Sequence, residues 1–166
     1  MRSAIPFHTL PPEEALHSMV RALTNRWRLF IMLPMIYLAV GLMIQEFWLT
    51  EGLLPVPAAG YFVLLFLAGF LVIVLWRLLP VMERRQLAEL VELRQEPEKF
   101  FRRAREQQLL RFSVCDIAAA PGIVLFLMQA DPVPLLIFCF VSMTFYLRAH
   151  PSELRLGKAY LRPDLL

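Results

Sequence analysis

The sequence predicts an all-α integral membrane protein. It reads as a four-helix bundle with both termini in the cytoplasm, an N-terminal interfacial amphipathic helix, and a cytoplasmic helical hairpin between spans 2 and 3. Three observations predict this. Hydrophobic residues make up 58% of the 166 and charged residues only 19%, whereas a soluble domain carries about a quarter charged residues and under half apolar ones. The apolar residues gather into four runs near the length that crosses a bilayer. All 17 lysines and arginines fall outside those runs, on segments that a single topology places on one side. The same totals exclude other classes. Disordered chains are polar and charge-rich. Two cysteines in 166 residues cannot build a disulfide scaffold. A water-soluble globule of this size could not hide so much apolar surface.

Residues 1–28 form the cytoplasmic, interfacial segment. Pro11-Pro12 suits a helix start, and Glu13 and Glu14 suit its positive end. Leu16, Met19, Val20, Leu23 and Trp27 recur at helical spacing, with Arg21 and Arg26 on other faces. Such a helix is expected to float in the headgroup layer with its stripe facing lipid, and Trp27 is expected to touch lipid or a partner.

Residues 29–79 form the first transmembrane hairpin. Its spans are Leu29 to Trp48 and Val56 to Trp76, the latter without a charge. The first run begins late and ends Glu46-Phe47-Trp48, which reads as a span and not as a signal peptide. Residues 80–111 form the charged cytoplasmic hairpin. Leu87, Leu90 and Val91 share one side, and Glu89 and Glu92 stand where helical ion pairs to Arg85 and Arg94 can form. Pro97 interrupts, and a second helix restarts in EPEKFFRRAREQQLLRF. Phe100, Phe101 and Leu109 are expected to cover its inner side, with Arg102, Arg103 and Arg105 toward anionic lipid headgroups or an acidic partner. Residues 112–149 form the second transmembrane hairpin, with spans Phe112 to Ala130 and Val133 to Leu147. The last is short, and crosses only if Arg148 and His150 snorkel at its end. Residues 150–166 form a cytoplasmic tail.

Orientation follows from charge. The segment before span 1, residues 77–111, and the tail hold every basic residue, while the two remaining links hold Glu51 and Asp131. The positive-inside rule puts the basic segments in the cytoplasm. Six glutamates dilute the cations of the middle loop and the net charge is only +3, which argues against nucleic acid as a partner.

Apart from Glu46 at the outer end of the first run, Asp116 is the one acidic residue inside a run. Such carboxylates are costly unless paired. Lying near the cytoplasmic interface, Asp116 is expected to clamp helices by pairing with Arg77, Arg111 or Arg148; a proton or ion site is the alternative. Ala118, Ala119, Ala120, Pro121 and Gly122 have minimal side chains that let helices approach closely, and span 1 or 2 is the expected neighbour. Pro121 also frees a backbone carbonyl. Cys115 and Cys139 stand in separate spans without a CxxC, so packing is their expected role. His8, His17 and His150 lie outside mid-membrane, where a haem ligand would be needed. No metal, cofactor or catalytic motif is expected. A shift of 71 residues aligns Arg77 with Arg148 and Pro80 with Pro151, while Pro34 and Pro121 mark the first and third spans. Two equivalent hairpins would account for this; so would the ordinary placing of prolines at span entrances and arginines at exits.

The functional expectation is a non-enzymatic accessory or structural subunit of a larger membrane complex. It would dock on other membrane subunits through its spans and its charged hairpin. A small oligomeric transporter or channel with Asp116 as key polar residue is the alternative. The arginine-rich, disulfide-free character fits a bacterial inner membrane. Topology alone does not assign function.

Overall fold

The computed structural model describes residues 12–48, 52–53, 57–151, 156–157 and 159–160. Arg2, His8, Glu51, Arg155, Lys158 and Arg162, with the rest of the outer link and tail, lie outside the described residues. Among the described residues every regular element is helical: α1 Pro12–Phe30, α2 Leu33–Phe47, α3 Ala58–Glu92, a 3₁₀ turn Leu93–Gln95, α4 Pro97–Ile117, α5 Ala120–Gln129 and α6 Pro132–Arg148. Three helical stretches are long and apolar enough to cross a membrane: Glu13–Phe47, Ala58–Gln95 and Pro97–Gln129. The 17 residues of α6 extend about 26 Å, a little short of a bilayer core of about 30 Å.

Prolines set most of the punctuation. Pro34 and Pro121 lack the N–H that would bond the carbonyl four residues back. Just ahead of each, the helix breaks and its hydrogen bonds tighten to three-residue spacing. Met32 N donates to Leu29 O at 3.2 Å, and Ala119 N donates to Asp116 O at 2.9 Å. Pro97 and Pro132 open α4 and α6, where a missing donor costs nothing. Pro80 behaves differently. The hairpin was expected to begin there, yet α3 runs through it for 35 residues, about 52 Å of helix. It ends where Glu96, ahead of Pro97, leaves the helical region at φ −119°, ψ 83°. The charged hairpin is therefore the continuation of two helices long and apolar enough to span a membrane.

The α1 stripe does not face lipid. Leu16, Met19 and Leu23 are buried in one cluster with Leu90 of α3, Phe100, Phe101 and Ala104 of α4, and Ala159. Burying such side chains contributes about 1.5–3 kcal/mol each, so α1 is held by the hairpin it covers. Leu109, expected on the inner side, is instead exposed. A second cluster joins Leu75 and Leu79 to Phe112, Cys115, Ala118, Phe145 and Tyr146, with Trp27 and Phe30 against it. Two smaller clusters fill the far half around Phe126, Leu135 and Cys139, and around Ala68, Leu125 and Phe138.

The two transmembrane hairpins are not equivalent. In the second, α5 and α6 pack closely on each other. In the first, α2 packs on α6 and α3 on α4 and α5, with little contact between α2 and α3. The order helix, break, helix, helix repeats along the chain, but the second pair wedges the first apart. The packing of the two halves therefore differs, which sides with the ordinary reading of their matching prolines and arginines.

Candidate functional site

Asp116 is the penultimate residue of α4, two positions before the Ala118–Ala119 break. Its Oδ1 is buried and has no hydrogen-bond partner. The expected arginine clamp is not assembled. The Arg111 Nε donates to Gln86 Oε1 at 2.6 Å, and its Nη1 lies 3.9 Å from Glu83 Oε1. Arg148 lies over the Trp76 ring, 4.5 Å from its centroid. Arg77 is exposed and shares a groove with Arg148 between the middle of α3 and the end of α6. What surrounds Asp116 is uncharged. The Ser142 hydroxyl donates to Cys115 O at 2.8 Å, and the Tyr146 hydroxyl donates to Phe112 O at 3.3 Å. Cys115 and Cys139 are both free and buried. A carboxyl group in such a setting can exchange a proton or meet a cation, but has no counter-charge to hold it as a structural ion pair.

The small-residue stretch packs tightly, though mainly on a different neighbour from the one expected. A Cβ on Gly122 would stand 2.7 Å from Phe138 Cβ and 2.9 Å from Pro134 O, so α5 closes on α6. Ala118 joins α3 as well as α6 in its cluster, and Ala119 is fully buried. Ala120 is exposed and Pro121 half-buried.

Trp27 is a tie inside the protein. Its indole Nε1 donates to Tyr146 O at 2.7 Å, and its ring stands edge-on to His150 with centroids 4.5 Å apart. The last carbonyls of any helix lack partners within it. Trp27 supplies one for α6, and Gln108 supplies another just past its end by donating to Ala149 O at 2.6 Å. No periodicity announces this, because the partner is 119 positions away.

A polar layer at the base of the hairpin also escaped the sequence reading. Gln86, Gln107 and Gln108 are buried. Gln107 Nε2 donates to Glu89 Oε2 at 2.9 Å. Arg103 bonds Glu89 at 2.7 Å and Glu106 at 3.1 Å; these hydrogen bonds, Glu89 first, hold its guanidinium above the usual arginine range. The Glu89 contact crosses between α3 and α4, where pairing to Arg85 along one helix was expected. Of the three arginines assigned to lipid or partner contact, Arg103 is thus engaged within the hairpin. Arg102 and Arg105 are exposed beside a groove between α1 and α4.

Among the described residues no three His, Cys, Asp or Glu side chains are grouped as metal ligands. No family model, curated protein or solved structure matches the chain.

Proposed function

We propose that the chain is a non-catalytic accessory or structural subunit of a larger membrane complex. It crosses a bacterial inner membrane four times with both termini in the cytoplasm. The observation that carries the reading is an asymmetry of burial. Of the most apolar stretches, those of Glu13–Phe47 and Ala58–Gln95 are only 11% and 17% buried, against 44% for Pro97–Gln129. The second hairpin has most of its packing partners within the chain, whereas the apolar parts of α2 and α3 bury few residues and leave one side of each outward. On α3, Phe62, Phe66, Phe70 and Ile73 form one exposed stripe. Spans of neighbouring subunits would complete that surface, and the hairpin braced by α1 would offer a rigid cytoplasmic platform.

Photo-crosslinkers placed at Phe66 and Phe70 test this in intact membranes. A discrete membrane-protein adduct from both positions, with none from buried Phe138, is the expected outcome. Crosslinks to lipid alone, together with a monodisperse homo-oligomer that moves a solute in liposomes, would overturn it. Topology is checked by single cysteines at Glu51 and Gln95 in a background without Cys115 and Cys139. The first should label from outside and the second only after permeabilisation.

The Asp116 carboxyl, with one buried oxygen lacking a hydrogen-bond partner, favours one second reading, an oligomeric transporter or channel. In that case Asp116→Asn abolishes solute-coupled proton or cation flux in proteoliposomes while the protein still folds.

A further inference from the structure

α3 packs on α4 and α5 and reaches α6 mainly through large side chains. Ala68 and Phe138 share one buried cluster, and Leu75, Leu79, Phe145 and Ala149 share another. Chain numbers therefore rise the same way along both helices. Their relative height is fixed by aromatic contacts. The Trp76 and Phe145 rings stand edge-on with centroids 5.4 Å apart, and the Arg148 guanidinium carbon lies 4.5 Å from the Trp76 centroid. Arg77 follows Trp76 directly in the chain. Because the two backbones stay apart, a groove of about 690 Å³ opens between them.

The groove is apolar at one end and cationic at the other. Val72 and Ile73 line it on α3, and Val141 and Thr144 on α6. The Thr144 hydroxyl is spent on its own helix, donating to Val141 O at 2.7 Å. Ile73 precedes Arg77 by four residues, and Thr144 precedes Arg148 by four, in each case about 6 Å of helix. One turn before Ile73 on the same face, Gly69 has nothing within 4 Å of an added Cβ, so the α3 side stays open beyond the apolar end. Neither arginine pairs with an acid among the described residues, in contrast to Arg103 and Arg111. The contact of Arg148 with the Trp76 ring steadies the cation without consuming an N–H donor.

We propose that this groove is a binding site for one anionic phospholipid. The phosphate sits at Arg77 and Arg148, and an acyl chain runs back over Ile73, Val72 and Val141. Charge and polarity select the occupant. Guanidinium N–H groups match phosphate oxygens. The two arginines are the first cations after the charge-free runs Val56–Trp76 and Val133–Leu147, the headgroup level of a chain that crosses the bilayer. The apolar end then points toward the middle of the membrane, as the chains of a lipid do. An acidic soluble protein would meet the arginines alone. The site requires that α3 and α6 cross the bilayer, as proposed above and checked separately by labelling at Glu51 and Gln95; it requires no other subunit.

Delipidated full-length protein titrated in detergent, with bound lipid counted by native mass spectrometry, tests it. Dioleoyl phosphatidylglycerol should bind about tenfold more tightly than dioleoyl phosphatidylcholine. The variant R77Q/R148Q should lose that preference, while R84Q/R94Q, which removes the same charge from other exposed sites, keeps it. Thr144→Trp, which fills the groove and leaves every charge, should weaken phosphatidylglycerol binding as well, so the result does not hang on the arginine variant folding. Phosphatidylglycerol with a photoreactive group midway along one chain should mark residues 66–73 or 137–144. Equal binding of the two lipids would overturn the proposal. So would equal loss in both double variants, full retention by the groove variants, or marks confined to residues 84–94. Glycerol 3-phosphate binding as tightly as the lipid would also overturn it, by making free phosphate the ligand.

Discussion

Trp27 makes the most consequential single contact in the molecule. Its indole ends α6 by bonding Tyr146 O at 2.7 Å, and removing the donor strands a carbonyl in an apolar setting. Trp27→Phe should therefore cost about 1–3 kcal/mol, read as a lower thermal midpoint in detergent. Glycines separate in the same way. Gly122→Ala drives a methyl into Phe138 and the Pro134 carbonyl, and should destabilise by about 1–3 kcal/mol. Gly69 has nothing within 4 Å of an added Cβ, so Gly69→Ala should be neutral or stabilising by up to about 1 kcal/mol. Asp116→Asn removes no ion pair, because among the described residues no arginine pairs with the carboxylate. Its thermal stability should stay within about 1 kcal/mol of the parent; a larger loss would restore the clamp. Asp116 was legible as a singular residue from its type and place alone. The position of the arginines away from it was not, because pairing depends on rotamers and neighbours contributed by other helices.

At the scale of elements, α1 separates what periodicity reveals from what it leaves open. Its stripe of Leu16, Met19 and Leu23 is plain in the sequence, and so is the helix. A stripe facing lipid and a stripe facing a protein groove have the same spacing, however, and the structure chooses the groove. Leu23→Ala should cost about 2–5 kcal/mol and open Arg21 and Arg26 to trypsin. Leu29→Ala, at a position 73% exposed, should do neither. Similar effects from both would return α1 to the membrane surface. The helix breaks at Ile31–Met32 and Ala118–Ala119 were readable from Pro34 and Pro121, whereas α3 passes through Pro80. One missing hydrogen bond is a local penalty, and packing around the chain decides whether it becomes a break. At the far end of α6, the Asp131 side chain accepts from Val133 N at 3.0 Å. Asp131→Ala should cost about 1 kcal/mol by thermal unfolding, independently of the Trp27 change at the other end of the helix.

For the molecule as a whole, composition and run length were enough to give an all-helical protein with helices long and apolar enough to cross a membrane. Transfer of apolar surface from water is a sum over residues, and a sum needs no coordinates. Proline and charge placed the helix starts and the basic segments for the same reason, since each acts within a turn or across a short link. The tertiary structure alone decided that α5 and α6 form the centre with α2 and α3 spread beside them. It also brought α1 onto the hairpin, linked Trp27 to Tyr146, and drew the buried glutamines into a layer. Those outcomes rest on shape fit and directed hydrogen bonds between residues far apart in the chain. Neither leaves a period in one strand of letters, because both are properties of two surfaces at once.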